Sequence, residues 1–287
     1  MRIRTVDAFT DRPYAGNPAG VVIWDEGPFP EDHRLQRLAN EINLAETAYA
    51  HPLTDDPEAD WALRWFTPAT EVDLCGHATL ATAHVLHTDG AASGTVRFRT
   101  RSGILTATTA ADGEITLDFP TAPLTGIPVP EGVEAAIGAE VVRAYDTGPL
   151  GDLLLELADE KTVRGLTPDQ SALTRLPHRC VLVTARAEEG AAPGRGTKGY
   201  DYVSRNFAPA VGIPEDPVTG SAHTALAPLW SERLGSDTLT GLQASARTGL
   251  VRTTLRGERT ELTGTAVTVL DAQLRVQDGD RRARQPR

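Results

Sequence analysis

The 287-residue sequence predicts an α+β protein made of two similar lobes that face each other across a cleft. Three observations predict it. The first is a motif that occurs twice: residues 64–83 read RWFTPATEVDLCGHATLATA and residues 205–227 read RNFAPAVGIPEDPVTGSAHTALA. Arg64, Phe66, Pro68, Ala69, Glu71, Gly76, Ala78, Ala81 and Ala83 match Arg205, Phe207, Pro209, Ala210, Glu215, Gly220, Ala222, Ala225 and Ala227, with three extra residues in the second copy. The second is that strand signals dominate outside the motif helices. The third is the segment PTAPLTGIPVPEG, residues 120–132, whose four prolines argue against regular pairing and mark a lobe boundary. The N-terminal lobe is thus expected to span 1–120 and the C-terminal lobe 121–287, with the last strand able to return to the first lobe.

Taken in chain order, β-branched and aromatic runs predict strands at IRTVDAF, AGVVIW, TAYAH, ALRWF, TVRFRT, ILTATTA and EITLDF in the first lobe. LLLELA, CVLVTA, YDYVSRNF, GLVRTTLRG and AVTVLDAQLRV predict those of the second. Helices are expected over 31–42, about 77–88, 131–138, 167–175 and 221–234. Residues 186–200 read as a loop. Its Gly194-x-Gly196-x-x-Gly199 nominally matches a dinucleotide fingerprint, but a strand-like run follows it where that fingerprint needs a helix. About 278–287 is expected to be a frayed tail.

Composition narrows the partners. Lys plus Arg number 28 against 39 Asp plus Glu, a net charge of −11 that argues against nucleic acid. The apolar stretches are too short for a membrane span, and MRIRTVDAFT lacks a signal-peptide core, so a soluble cytoplasmic protein is expected. Cys75 and Cys180 cannot build a disulfide framework and are expected as thiols.

Each motif copy reads as an extended segment, a Gly-led turn and a helix whose small residues allow close packing. The unpaired N–H groups and dipole of a helix start favour an anion, so two such starts meeting in one cleft predict a small carboxylate ligand. On local pattern alone, His77 and Ser221 are helix caps or ligand contacts. Asp216 before Pro217 and Asn17 before Pro18 fit turns, and Glu46 fits a solvated loop. No phosphate loop is present and nothing has zinc-site spacing. His84 and His87 lack a third ligand nearby and read as core or surface residues.

The segments VDAFTDRPYAGNPAGVV, INLAETAYA, LCGHATLATAHVL, NFAPAVGIPEDPVTGSAHTALAPLW and GTAVTVLDAQL together resemble the phenazine-biosynthesis PhzF-like family, which shares the diaminopimelate epimerase fold. The resemblance implies two pseudo-symmetric lobes, each a mixed β-sheet rolled around a central helix, with the active site between them. It also implies a homodimer that needs no metal or organic cofactor. Glu46 matches the family's acid/base residue, and His77, Asp216 and Ser221 match positions that hydrogen-bond the substrate and relay protons. Gly76, Gly220 and Thr219 would donate to a carboxylate, and Asn17 would line the cleft. Cys75 stands close to the first of the two cysteines used by related epimerases, but Thr219 stands at the second position and cannot act as a thiolate.

Two departures accompany the resemblance. Arg247, Thr248 and Gly249 replace an Arg-Gly-Gly common among relatives, and Pro228 falls inside a predicted helix. The resulting expectation is a cofactor-independent isomerase that moves a proton between carbons of a small carboxylate. The alternatives are a one-thiol epimerase or racemase using Cys75 and a non-catalytic carboxylate-binding protein.

Overall fold

The computed structural model describes residues 1–25, 27–189 and 199–275. The first half of the chain forms β1 (Arg2–Ala8), β2 (Asn17–Ile23), α1 (Asp32–Ile42), β3 (Glu46–Pro52), β4 (Trp61–Phe66), β5 (Glu71–Val72), α2 (Gly76–Thr88), β6 (Gly94–Thr100), β7 (Gly103–Thr109) and β8 (Ile115–Pro120). The second begins with β9 (Thr125–Ile127), α3 (Val133–Ile137), β10 (Arg143–Asp146), β11 (Asp152–Glu156), α4 (Glu160–Gly165), α5 (Gln170–Leu173), β12 (Cys180–Arg186) and β13 (Tyr202–Ala208). It ends with β14 (Ile213–Asp216), α6 (Gly220–Leu234), β15 (Thr238–Gln243), β16 (Gly249–Arg256), β17 (Arg259–Gly264) and β18 (Ala266–Gln273).

The pairing repeats strand for strand. One lobe runs β18-β1-β2-β3-β4-β6-β7-β8, and the other runs β9-β10-β11-β12-β13-β15-β16-β17. In each, the third pairs in parallel with the fourth and the fifth with the sixth, and the other pairings are antiparallel. The lobes join where β8 pairs antiparallel with β17.

Each sheet wraps a helix that is apolar on nearly every face, as a helix in a core must be. Ala78, Leu80, Ala81, Val85 and Leu86 of α2 pack against Val6, Ala19, Val21, Ala48 and Phe98. Ala222, Ala225, Leu226 and Trp230 of α6 pack with Leu154, Leu182 and Tyr202. The alanines common to both motif copies are the small residues that let strands close around these helices.

The rest of the repeat is a structural clamp. Arg64 donates to both carboxylate oxygens of Glu71, at 2.7 and 2.7 Å, and lies 5.1 Å over the ring of Phe66. Arg205 does the same with Glu215 at 2.7 and 2.8 Å and lies 4.8 Å over Phe207. Each bidentate pair ties the turn before a helix start to its neighbouring strand.

Several local expectations need correction. The prolines of 120–132 do not preclude pairing: Thr125–Ile127 lies between Pro123 and Pro128, keeps its N–H groups and pairs with β10 as an edge strand. Helix α4 was not anticipated, although Asp159 caps it by accepting the Thr162 N–H at 2.7 Å. The helices expected over 131–138 and 167–175 are the shorter α3 and α5. Pro228 frees the carbonyl of Thr224, which accepts the N–H of Ala122 at 3.2 Å, so α6 continues past it. The loop reading built on Gly194 and Gly196 and the tail at 278–287 lie outside the described residues. Among the described residues, no helix is long and apolar enough to cross a membrane, and both cysteines are free and buried.

Candidate active site

The two central helices meet head to head. A Cβ built on Gly76 would stand 3.6 Å from the Cα of Gly220, and one on Gly220 would stand 3.6 Å from the Cα of Gly76. Residues Cys75 and Thr219 precede the helices in extended conformation, with φ of −147° and −107°, and neither side chain caps its helix. The cap reading of His77 and Ser221 is thereby corrected, since both lie inside the first turn. The first-turn N–H groups keep their capacity for an anion lying beside the contact, because the two α-carbons leave no space between them.

Glu46 opens β3, directly after Asn43 ends α1 in the left-handed conformation at φ 55°. It is not a solvated loop residue: its side chain is 14% exposed. Burial, followed by the charge of Asp216, pushes its carboxyl up to about 8. His77 Nε2 lies 3.2 Å from Glu46 Oε2, outside hydrogen-bond alignment. The other ring nitrogen, Nδ1, lies 3.5 Å from Cys75 Sγ and 3.3 Å from Asn17 Nδ2.

The two N–H groups of Asn17 are directed to Asp216 Oδ1 and the Val218 carbonyl, both at 2.8 Å. The thiol of Cys75 is therefore the donor left for His77 Nδ1, which assigns the imidazole proton to Nε2, facing Glu46. Burial drives the imidazole down to about 3, so His77 is neutral.

Asp216 ends β14, in the segment lengthened by three residues in the second motif copy. Its Oδ2 accepts the hydroxyl of Thr219. That hydroxyl accepts from Asn206 Nδ2 at 2.9 Å and Gln243 Nε2 at 3.2 Å, which leaves its own proton for Asp216. Gln243 further accepts the Thr219 N–H and donates to the Asp216 carbonyl, each at 2.8 Å. Burial outweighs the bonds from Thr219 and Asn17 and lifts Asp216 to about 6. Asn206 and Gln243 were missed by sequence reading. Asn206 matches Trp65 in the first copy, a break in the repeat that could have drawn notice, whereas Gln243 ends a strand with no motif around it. Asn17 Oδ1 and Asn206 Oδ1 are buried with no partner among the described residues, so each retains acceptor capacity.

The lobes are not chemically equivalent. Glu46 pairs with Ala19 of β2 as Cys180 pairs with Asp152 of β11, so Cys180 occupies the place in the second lobe that Glu46 holds in the first. Cys180 is buried and lies within reach of the charge of Asp216. Burial and the Asp152 carboxylate push its thiol up to about 12, and burial with Glu46 raises that of Cys75. Ser221 is half-buried, with its Oγ 3.5 Å from Arg179. Arg179, absent from the sequence reading, donates to both oxygens of the buried Asp152 at 2.9 Å.

Donor atoms of Glu46, Cys75 and His77 lie within 4.8 Å of one another, a cluster that could hold a metal ion. Sequence spacing did not reveal it, because Glu46 comes from another element. It would require a deprotonated Cys75, which burial opposes. As it stands, the arrangement suits proton transfer: a carboxyl poised near neutral pH, a neutral imidazole donor beside it, and a second carboxyl from the opposite lobe.

Comparisons with known proteins agree with this architecture. The family model described as phenazine biosynthesis-like protein matches residues 6–272. A protein of Pseudomonas aeruginosa named as an uncharacterized isomerase is 43% identical over 277 residues, covering 96% of this chain and 99% of its own length. The crystal structure of a PhzF-family phenazine biosynthesis protein from Enterococcus faecalis matches with a TM-score of 0.84 at 40% identity, covering 95% of this chain and 99% of that one. A hydroxyproline epimerase from Agrobacterium vitis, at 15% identity, shares the fold with a TM-score of 0.60, covering 95% and 91% of the two chains. The two-lobed α+β fold and the resemblance read from the sequence are both borne out.

Proposed function

The chain belongs to the phenazine biosynthesis-like, or PhzF-like, family, and on that premise we propose that it is an isomerase that moves a proton between carbon atoms of a small carboxylate without a cofactor. Glu46 takes the proton from one carbon and returns it to another. The first-turn N–H groups of α2 and α6 bind the substrate carboxylate and stabilise the charge that develops beside it. The Nε2–H of His77 donates to the developing anion, and Asp216, held by Asn17 and Thr219, orients the substrate from the second lobe together with Ser221.

The observation that carries this reading is Glu46 itself, half-buried, pushed up to about 8 and 3.2 Å from a neutral imidazole. A base whose pKa lies near the working pH is present in both protonation states, as a group that removes and then returns a proton must be. The raised thiol of Cys75 speaks against the one-thiol epimerase, which needs a thiolate.

The test is proton NMR in D₂O of a panel of cyclic and acyclic amino acids that includes trans-2,3-dihydro-3-hydroxyanthranilate. Wild type should incorporate deuterium or migrate a double bond in at least one compound, and Glu46→Gln should do neither. Exchange that survives in Glu46→Gln, or carboxylate binding with no exchange across the panel, would count against the proposal.

A further inference from the structure

We infer that the substrate carries a second acidic group and that Arg179 is the residue that selects it. The inference rests on the carboxylate-cleft reading above. Arg179 immediately precedes β12, so it stands one residue before Cys180, the counterpart of Glu46. The second lobe therefore offers a guanidinium one residue before the place at which the first lobe offers its proton-transfer carboxyl.

The guanidinium is fixed in advance. Its Nε and Nη2 each lie 2.9 Å from an oxygen of Asp152, whose side chain is fully buried, and the backbone N–H of Arg179 donates to Gly151 at 2.8 Å. A guanidinium has a second edge, however, and the Arg179 side chain is 41% exposed. The bonded edge also reaches Ser221 Oγ at 3.5 Å, at the start of α6, and the Arg179 charge acts on Asp216 in the cleft. Its open edge and the Ser221 hydroxyl together form a donor set that fits a carboxylate or phosphate. Because Asp152 already holds the side chain in place, little conformational freedom is lost when an anion binds.

The probes are glutarate and valerate, a diacid and a monoacid of equal chain length, with affinities measured by titration calorimetry. Wild type should bind glutarate at least about tenfold more tightly, and Arg179→Met should reduce the preference to within about twofold. Because Arg179→Met leaves Asp152 buried and unpaired, the double variant Asp152→Asn with Arg179→Met is measured alongside it. It removes both charges and should lose the same preference while melting as wild type does. Equal binding of both acids by wild type leaves the cleft standing and overturns the role of Arg179, as does a preference retained in the double variant. Binding of neither acid overturns both readings.

Discussion

Glu46 of the first lobe and Asp216 of the second are close enough that the charge of Asp216 raises the pKa of Glu46. The coupling makes the acid/base behaviour of the site a property of the assembled cleft. Neither lobe contains both groups, so their titration reports how the lobes are held together.

Stability should fall as pH rises through the range these groups define. Burial lifts Glu46 to about 8 and Asp216 to about 6, so the native state holds protons that the unfolded chain releases from about pH 4 upward. Each such group costs at most about 1.4 kcal/mol per pH unit across its window. Glu46→Gln should flatten the wild-type decline between about pH 6 and 8. Urea midpoints at four pH values would show it, and identical slopes for the two proteins would rule it out.

Asp216→Asn removes the charge that raises Glu46. The acidic limb of the exchange-rate profile, where Glu46 must lose its proton to act as the base, should then move to lower pH, because Glu46 loses that proton more readily. A limb left in place would mean that burial alone sets the Glu46 pKa.

Gln243 is fully buried and braces Thr219 and the Asp216 carbonyl. Gln243→Leu strands the buried N–H of Thr219 and removes a donor to its hydroxyl, which should cost about 1–3 kcal/mol in chemical denaturation. A loss below about 0.5 kcal/mol would place the network outside the stability of the cleft.

Cys75→Ala separates the carboxyl shuttle from the thiol epimerase. Exchange should persist at a rate near that of wild type, since Glu46 and His77 remain. A loss on the order of 10²–10⁴, the usual cost of removing a general acid or base, would return the thiol to the mechanism.

Thr248 sits in the left-handed region at φ 57°, where a β-branched residue is strained. The departure from Arg-Gly-Gly thus falls on a position whose backbone favours glycine. Thr248→Gly should stabilise the protein by about 0.5–1 kcal/mol, the strain relieved exceeding the added chain entropy of glycine. The neighbouring Gly249 is different in kind: a Cβ there would stand 2.3 Å from Val218 Cγ2, so Gly249→Ala should destabilise the cleft. Thermal melts of both variants check the contrast.

Much of the architecture was legible because it depends on local pattern. The repeated Arg-x-Phe and Gly-x-Ala-x-x-Ala-x-Ala segments specify a clamp, a turn and a close-packed helix in each lobe, and these need only neighbours a few residues away. Alternating β-branched residues mark most of the strands for the same reason. Resemblance singled out Glu46, His77 and Asp216, although nothing in their immediate sequence separates a catalytic carboxyl from a solvated one or a ligand contact from a turn. Their electrostatics were decided by the tertiary structure. Asn17 meets Asp216 across 199 residues and His77 meets Asn17 across 60, and burial, a property of the whole packed chain, is the first cause of the shifts of Glu46, Cys75, His77 and Asp216. The same long-range packing brings Gln243 and Asn206 to Thr219, turns Arg179 toward Ser221 and places the buried thiol of Cys180 at the position in the second lobe that Glu46 holds in the first. Short-range pattern therefore determined the two lobes, and only their packing against each other brought Asp216 near Glu46 and shielded both carboxyls from solvent.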